Sequence, residues 1–294
     1  MVEVGPRDGL QSETAILPVS RRVELIRRME LAGATRIETV SFAHPERVPQ
    51  MAGAEQICEA LKERSFSAIG LVLNDRGLDR ALKCDLDEIN VVAYAADGYA
   101  QKNSGASAAV RNTEAAALVT RAKAADRRTS VTIAVAFGDP IDGTVALEHV
   151  ADLTATFAGA GADEVALGDT IGIANPKSVE RLIPAVIDAA AHATVRCHFH
   201  NTRNAGYANA VSALRCGVVA LDASVGGFGG SPFSPGAGGN VATEDLTALL
   251  RSMGVRTAID PWLAAETGTW LAGILGHDRA PAMLGMVVDP LDRG

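Results

Sequence analysis

Two histidines separated by one residue are the clearest chemical feature of the sequence. His198 and His200 lie in the short run 195–200, and residues i and i+2 of a strand point to the same face. Two imidazoles that converge at a strand end suit a transition metal, or Mg²⁺ or Mn²⁺ with oxygen co-ligands. The spacing therefore predicts a metal site, and a hydrogen-bonded pair in the core is the alternative.

An adjacent arginine and aspartate form a second candidate. Arg7 and Asp8 stand in a turn bounded by glycine and proline, directly after the first predicted strand. The carboxylate can bind a divalent cation, and the guanidinium can hold an anionic oxygen in a planar fork. A solvated ion pair is the alternative, but the position at a strand end favours a functional role.

A glycine-rich segment, residues 226–239, leads to Asn240. Such a segment lets backbone approach a ligand closely and can close over it. It lacks the G-x-G-x-x-G spacing, and no Gly-Lys-Ser/Thr follows, so it indicates neither a dinucleotide site nor a P-loop. Asn240 is either a ligand or the N-cap of the next helix.

Two acidic residues in apolar surroundings complete the set. Glu38 lies within the second predicted strand, and Asp169 lies just beyond the sixth. A carboxylate is costly to bury without a partner, so both are expected to point into a shared pocket. A structural ion pair is the alternative for each.

The elements that position these residues alternate along the chain. Short apolar runs, most of them apolar throughout, predict eight strands at residues 2–4, 36–42, 68–73, 88–93, 130–137, 164–167, 194–199 and 218–223. Helix-length stretches separate them, such as the one with Val150, Leu153 and Phe157 on one face. Eight such units in about 255 residues predict a (β/α)₈ TIM barrel, with a doubly wound open sheet as the alternative.

The predicted barrel covers residues 1–257, and a helical extension covers 258–294, all within a single domain. In such barrels the reactive residues follow the C-terminal ends of the strands. The candidate residues Asp8, Asp169, His200 and Asn240 follow this rule.

Composition excludes several classes of protein. The charges sum to 27 − 35 = −8, with 48% hydrophobic residues, which excludes disorder and makes a nucleic-acid partner unexpected. The sequence has no apolar run of about 18 residues, the length that would predict a membrane span. Because Arg7 and Asp8 stand where a signal peptide needs an apolar core, no signal peptide is expected. Four widely separated cysteines are typical of reduced thiols, so a cytoplasmic location is expected.

In order along the chain, these motifs resemble the 3-hydroxy-3-methylglutaryl-CoA (HMG-CoA) lyase family of TIM-barrel metallolyases. The similarity runs from residue 2 to about 255 and includes EVGPRDGLQ, IETVSF, VPQM, QKN, LGDTIG, the HxH strand and GNVATEDL. The resemblance implies a TIM barrel, a divalent cation, Mg²⁺ or Mn²⁺, and a homodimer.

The same resemblance implies roles for particular residues. The metal ligands would be Asp8, His198, His200 and Asn240. Arg7 would stabilise an enolate oxygen, and Glu38 and Asp169 would belong to the substrate and base network. Besides Arg7, the substrate contacts would be Gln11, Asn103 and Thr170.

Three departures from the family pattern are present, of which the first two bear on substrate and efficiency and the third is a subgroup variation. Ser231 stands where these lyases usually have a cysteine that protonates the product enolate. The resemblance therefore implies a catalytic position for Ser231. Asp139 replaces another common cysteine, and the run 200–204, HNTRN, replaces an HDTYG-like stretch. The fold is not affected by them.

The expected reaction is cleavage of a carbon–carbon bond in an HMG-CoA-like ester, giving acetoacetate and acetyl-CoA. The sequence also allows a lyase for citramalyl-CoA or a longer 3-hydroxy-3-alkylglutaryl-CoA. Two further alternatives are a Claisen-type condensing enzyme and a weakly catalytic paralogue that binds a CoA ester. No regulatory extension typical of the synthase branch is recognised, which favours the lyase branch.

Overall fold

A closed barrel of eight parallel strands forms the centre of the protein. The computed structural model describes residues 1–230 and 239–284. Strands follow one another around the barrel in chain order, and β1 pairs with both β2 and β8. This closure confirms the predicted TIM barrel and excludes the open sheet. The strands are β1 Val2–Glu3, β2 Arg36–Ser41, β3 Ser67–Val72, β4 Glu88–Tyr94, β5 Arg128–Ala134, β6 Glu164–Asp169, β7 Thr194–Phe199 and β8 Ala220–Ala223.

Helices surround the barrel and connect successive strands. Within the described residues they are α1 Val19–Leu31, α2 Ala54–Ala60, α3 Asp75–Ala81, α4 Asp97–Ser104, α5 Ala108–Ala124, α6 Leu147–Gly159, α7 Pro176–Ala189, α8 Gly206–Arg215, α9 Thr243–Ser252 and α10 Pro261–Leu275. In α6 the predicted apolar face, Val150, Leu153 and Phe157, is buried. α7 begins with a capping box in which Asn175 and Ser178 satisfy each other's backbone N–H groups.

The inside of the barrel is more polar than the predicted strands suggested. At its N-terminal end, the Arg36 guanidinium donates to the carboxylates of Glu88 and Glu164 at 2.7 Å each. On β7, Arg196 lies 3.0 Å from Glu164 and 3.2 Å from Asp222. The expectation of strands that are apolar throughout is therefore wrong on this face, because opposite charges from neighbouring strands satisfy one another there.

Within the described residues, the chain after the barrel includes one helix, α10, and residues 285–294 of the predicted extension lie outside them. α10 begins at Pro261, and the Asp260 carboxylate caps its first N–H groups. Its Trp270 ring lies 4.4 Å from the guanidinium carbon of Arg28 on α1, which attaches the helix to the barrel layer. Among the described helices, none has the length and apolarity needed to cross a membrane.

Candidate active site

Three predicted metal ligands meet at the C-terminal end of the barrel. Asp8 follows β1 in a single wide helical turn, Gly5–Gly9, whereas His198 and His200 come from the end of β7. One ligand atom from each lies within 4.8 Å of the other two. The Nε2 atoms of the two histidines are 3.1 Å apart, and Asp8 Oδ2 is 3.8 Å from His198 Nε2. These atoms form a compact set of donors for one cation.

A carboxylate on the next strand orients the first histidine. Asp222 Oδ2 on β8 lies 3.2 Å from His198 Nδ1, so the Nε2 atom of that ring faces the ligand cluster. This carboxylate–histidine pairing is typical of metal ligands. Burial opposes a charge on His198, but Asp222 and Asp8 outweigh it and raise the pKa of the ring.

The second histidine has the opposite electrostatics. Burial, reinforced by His198, lowers the pKa of His200 to about 4. Burial also opposes the charge on Asp8, yet Arg7 and the two histidines hold the pKa of that carboxyl well below its usual value. A neutral imidazole and an ionised carboxylate are the forms that bind a metal.

Asn240 completes the cluster from the other end of the glycine-rich segment. Its Nδ2 atom donates to Asp8 Oδ2 at 2.7 Å and to the Phe228 carbonyl at 3.1 Å, whereas its buried Oδ1 has no hydrogen-bond partner. The N-cap of α9 is Ala242, with no side-chain cap, so Asn240 is not the cap. A buried amide oxygen without a partner beside a carboxylate and two imidazoles fits a divalent cation.

Gly229 allows this close approach. A Cβ atom at this position would lie 2.6 Å from Asn240 Nδ2 and 3.1 Å from the carbonyl of Asp8, and its φ is +98°. Only glycine adopts that backbone conformation freely. The glycine-rich sequence is thus needed where the segment passes the ligands.

Arg7 is held beside the cluster by two carboxylates. Its Nε donates to Glu38 Oε2 at 2.6 Å, and one terminal nitrogen donates to Asp8 Oδ1 at 2.7 Å. Glu38 is 1% exposed and also accepts from Asn90 Nδ2 at 2.8 Å. The other terminal nitrogen of Arg7 lies 2.5 Å from Glu38 Oε2, so Glu38 holds two of the three guanidinium nitrogens.

Asp169 lies at the end of β6, next to the histidine strand. Its Oδ1 accepts from the backbone N–H groups of Ile173 and Ala174, and its buried Oδ2 has no hydrogen-bond partner. Burial raises the pKa of Asp169 to about 6 despite these two donors. Such a carboxyl can exchange a proton near neutral pH.

The other predicted residues have different surroundings. Thr170 Oγ1 accepts from the backbone N–H of Val135 at 2.9 Å, and Asn103 Nδ2 donates to the Tyr94 hydroxyl at 2.9 Å. Gln11 is exposed just beyond the Arg7 turn. Ser231 lies outside the described residues.

Asp139, at a position where the resembled family has a cysteine, anchors a loop. Its carboxylate accepts from the backbone N–H of Tyr99 at 3.0 Å and from that of Ile141 at 2.9 Å. Both oxygens are therefore engaged in attaching the start of α4 to the loop after β5.

Sequence reasoning missed three residues of the site: Asn90, Thr132 and Asp222. Each lies on a barrel strand: Asn90 and Asp222 are buried, and Thr132 is half-buried and donates its hydroxyl to Asn90. The alternation of polar residues in β4 and β5 was the available signal, because Glu88 and Asn90, like Ser130 and Thr132, are two positions apart.

A (β/α)₈ barrel with an aspartate, two histidines and an asparagine at its C-terminal mouth defines a candidate metal-dependent enzyme. The HMGL-like family model matches residues 1–267, and the chain belongs to this family, whose characterised relatives are carbon–carbon lyases.

Individual relatives agree with this assignment. The (R)-citramalyl-CoA lyase of Chloroflexus aurantiacus is 40% identical, over 97% of this chain and 93% of its own length. The hydroxymethylglutaryl-CoA lyase YngG of Bacillus subtilis is 33% identical, over 93% of this chain and 92% of its own. A solved HMG-CoA lyase from Acinetobacter baumannii, in complex with coenzyme A and 3-methylmalate, has a TM-score of 0.93 at 31% identity, covering 100% of this chain and 96% of that one.

Proposed function

We propose that this protein is a divalent-metal-dependent lyase that cleaves an HMG-CoA-like ester to a keto acid and acetyl-CoA. The observation that carries the proposal is the convergence of Asp8, His198, His200 and the unpartnered Asn240 oxygen beside Arg7. A bound divalent cation supplies Lewis-acid polarisation of the tertiary hydroxyl of the ester. The mixed oxygen and nitrogen ligands support Mg²⁺ or Mn²⁺.

Asp169 is the proposed base. Its unpartnered Oδ2 and raised pKa suit it to take the hydroxyl proton near neutral pH. The bond between the second and third carbons then breaks, the third carbon becomes the ketone of acetoacetate, and the electron pair forms the enolate of acetyl-CoA.

Arg7 is the proposed stabiliser of the enolate. Its guanidinium is fixed by Glu38 and Asp8 before substrate arrives, and a preorganised donor costs no reorganisation when negative charge develops on oxygen. Gln11, Asn103 and Thr170 remain proposed substrate contacts because of the family resemblance.

The enolate must then receive a proton, and Ser231 occupies the proposed donor position. A serine hydroxyl is a much weaker acid than a cysteine thiol, whose pKa is about 8.5, so we propose that water is relayed at this position. Ser231→Cys is expected to raise turnover of HMG-CoA by roughly tenfold in steady-state assays. Unchanged or lower turnover would show that the missing cysteine does not limit this enzyme.

Citramalyl-CoA is the second candidate substrate. The relative of 40% identity, which covers 97% of this chain, is a citramalyl-CoA lyase. Citramalyl-CoA has the same tertiary 3-hydroxy thioester, but its carboxylate is attached to the hydroxyl-bearing carbon, and its cleavage gives pyruvate in place of acetoacetate.

The test is acetyl-CoA release by the Mn²⁺- or Mg²⁺-loaded protein from HMG-CoA, citramalyl-CoA and a longer 3-hydroxy-3-alkylglutaryl-CoA. Acetoacetate or pyruvate is measured in parallel to identify the substrate. If the protein binds the esters but turns over none of them, the result would contradict the lyase proposal and favour a CoA-ester-binding protein. The proposal includes a homodimer, which the family resemblance implies. It also includes a single domain, from the unbroken pattern of strands and helices, and a cytoplasmic location, from the four separated cysteines.

A further inference from the structure

We propose that Asn90 and Thr132 are positioning residues that hold Glu38, and through it Arg7, in the geometry used for cleavage. This inference rests on the proposed function of Arg7. Neither residue touches the metal ligands in the contacts described, so their effect on the reaction passes through Glu38.

The argument starts from the buried Glu38 carboxylate. One oxygen, Oε2, accepts from Arg7, and the other, Oε1, accepts from Asn90 Nδ2 at 2.8 Å. Glu38 is 1% exposed and Asn90 2% exposed, so water does not replace either donor freely. Loss of the Asn90 amide would leave one carboxylate oxygen buried without a donor, which is costly and allows the side chain to turn.

Thr132 determines which way the Asn90 amide faces. An ionised carboxylate only accepts hydrogen bonds, so Asn90 must direct its NH₂ group toward Glu38. The carbonyl Oδ1 then faces Thr132, whose hydroxyl donates to it at 3.0 Å. The hydroxyl stabilises the one amide orientation that supports Glu38.

The supports are placed on rigid elements. Glu38, Asn90 and Thr132 lie on β2, β4 and β5, whereas Arg7 lies in the turn after β1. Side chains on strands are held more precisely than side chains on loops, so these hydrogen bonds couple the position of the Arg7 guanidinium to the sheet. A reactive group displaced by about 1 Å can lose about a hundredfold in rate.

The first test uses single variants of the metal-loaded protein. Thr132→Val keeps the volume but removes the hydroxyl, and we expect kcat to fall about tenfold while KM and the Mn²⁺ dissociation constant change less than about twofold. Thr132→Ser restores the hydroxyl and is expected to keep kcat within about twofold of the wild type. Thr156→Val, on the exposed face of α6, is the matched control because its hydroxyl bonds only a helix carbonyl.

The second test asks whether the effect passes through Arg7. Asn90→Ala is expected to lower kcat about tenfold in the wild type but less than about twofold in an Arg7→Lys background, where the planar fork is already lost. Additive losses would overturn the proposal. A raised KM with unchanged kcat in Thr132→Val would also overturn it and make Thr132 a substrate contact.

A failure of the proposed function gives a different result. If the wild type releases acetyl-CoA from none of the esters, the lyase function is wrong. The hydrogen-bond chain is then tested by urea unfolding of the wild type, Asn90→Ala, Arg7→Lys and the double variant. Non-additive free energies of unfolding for Asn90→Ala and Arg7→Lys support the coupling. Additive values overturn it independently of any activity.

Discussion

At the scale of single residues, the site is marked by polar atoms that are buried without a partner. Asn240 Oδ1 and Asp169 Oδ2 both lie at the mouth of the barrel without a hydrogen-bond partner, whereas Arg196, deeper inside, forms ion pairs with Glu164 and Asp222. An unsatisfied buried acceptor costs free energy in the folded protein. Under the proposed function, a ligand would satisfy each acceptor, a cation for Asn240 and a substrate proton for Asp169.

The cation site gives the first prediction. His198→Ala and Asp8→Asn each remove one ligand, and we expect Mn²⁺ affinity to fall at least about tenfold, the low end of the range for weakened metal sites. Calorimetric titration of the metal-free protein measures this. His149→Ala, an exposed histidine on α6, should bind like the wild type, and wild-type affinity in both ligand variants would refute the site.

The base gives the second prediction. A carboxyl with a pKa of about 6 is protonated below that pH and cannot take a proton, so kcat/KM should rise with pH through about 6 and then level off. Asp169→Asn should lower the plateau about a hundredfold and remove this rise. A variant that loses rate but keeps the acidic limb would show that another group is the base.

At the scale of elements, two buried carboxylates fasten the start of the glycine-rich segment. Glu3 on β1 accepts from the backbone N–H of Val225 at 2.9 Å and from the Thr243 hydroxyl at 2.6 Å. Glu244 on α9 accepts from the N–H of Gly226 at 3.0 Å. Burial raises the pKa of Glu3 to about 7 and that of Glu244 to about 8.

The raised pKa values of Glu3 and Glu244 predict that the free energy of unfolding depends on pH. The folded protein binds these protons more tightly than the unfolded chain, so the free energy of unfolding should fall as pH rises from about 5 to about 8. Glu244→Gln stays neutral at all pH values and should reduce this fall. Urea unfolding at pH 6 and pH 8.5 measures it.

The control for this prediction is Glu148→Gln on the exposed start of α6. It should keep the wild-type pH dependence because its carboxylate is hydrated in both states. An identical slope in Glu244→Gln and the wild type would show that Glu244 is ionised throughout this range.

At the scale of the whole molecule, the barrel is filled by charge at its N-terminal end and carries its chemistry at the other. Arg36 donates to Glu88 and Glu164, and Arg196 links Glu164 to Asp222, which in turn orients His198. An ionic chain thus runs inside the barrel from its lower end to the ligand cluster. Bulky branched side chains usually fill this space in TIM barrels.

Loss of one arginine from this ionic chain should lower the free energy of unfolding far more than loss of an exposed arginine. Arg36→Ala leaves Glu88 and Glu164, 0% and 2% exposed, with too little positive charge, and we expect a loss of roughly 3 kcal/mol in the free energy of unfolding. Arg121→Ala, which breaks exposed pairs with Asp75 and Asp79, should cost less than about 1 kcal/mol. Urea unfolding at neutral pH compares them, and equal losses would contradict a stabilising role for the buried chain.

The sequence by itself predicted the eight strand–helix units, the family and three of the residues that meet in the ligand cluster, whereas closure of the barrel was decided by the structure. Alternating apolar runs and helical faces are local patterns, and the HxH spacing places both imidazoles on one face whatever the rest of the chain does. The GPRDG turn likewise holds Arg7 beside Asp8. The strand, helix and turn predictions needed only neighbouring residues, and the family prediction needed the order of the motifs along the chain.

Only the tertiary structure decided the remaining features. Asn90 lies 52 residues from Glu38 and 42 from Thr132, and the sequence contains no local sign that their side chains meet. The sequence allows Asn240 to be either the N-cap of α9 or a metal ligand. The structure excludes the cap, because α9 begins at Thr243 with Ala242 as its N-cap. The physical reason is barrel closure, which brings inward-facing polar groups from distant strands into a largely buried space, where they must satisfy one another or a ligand.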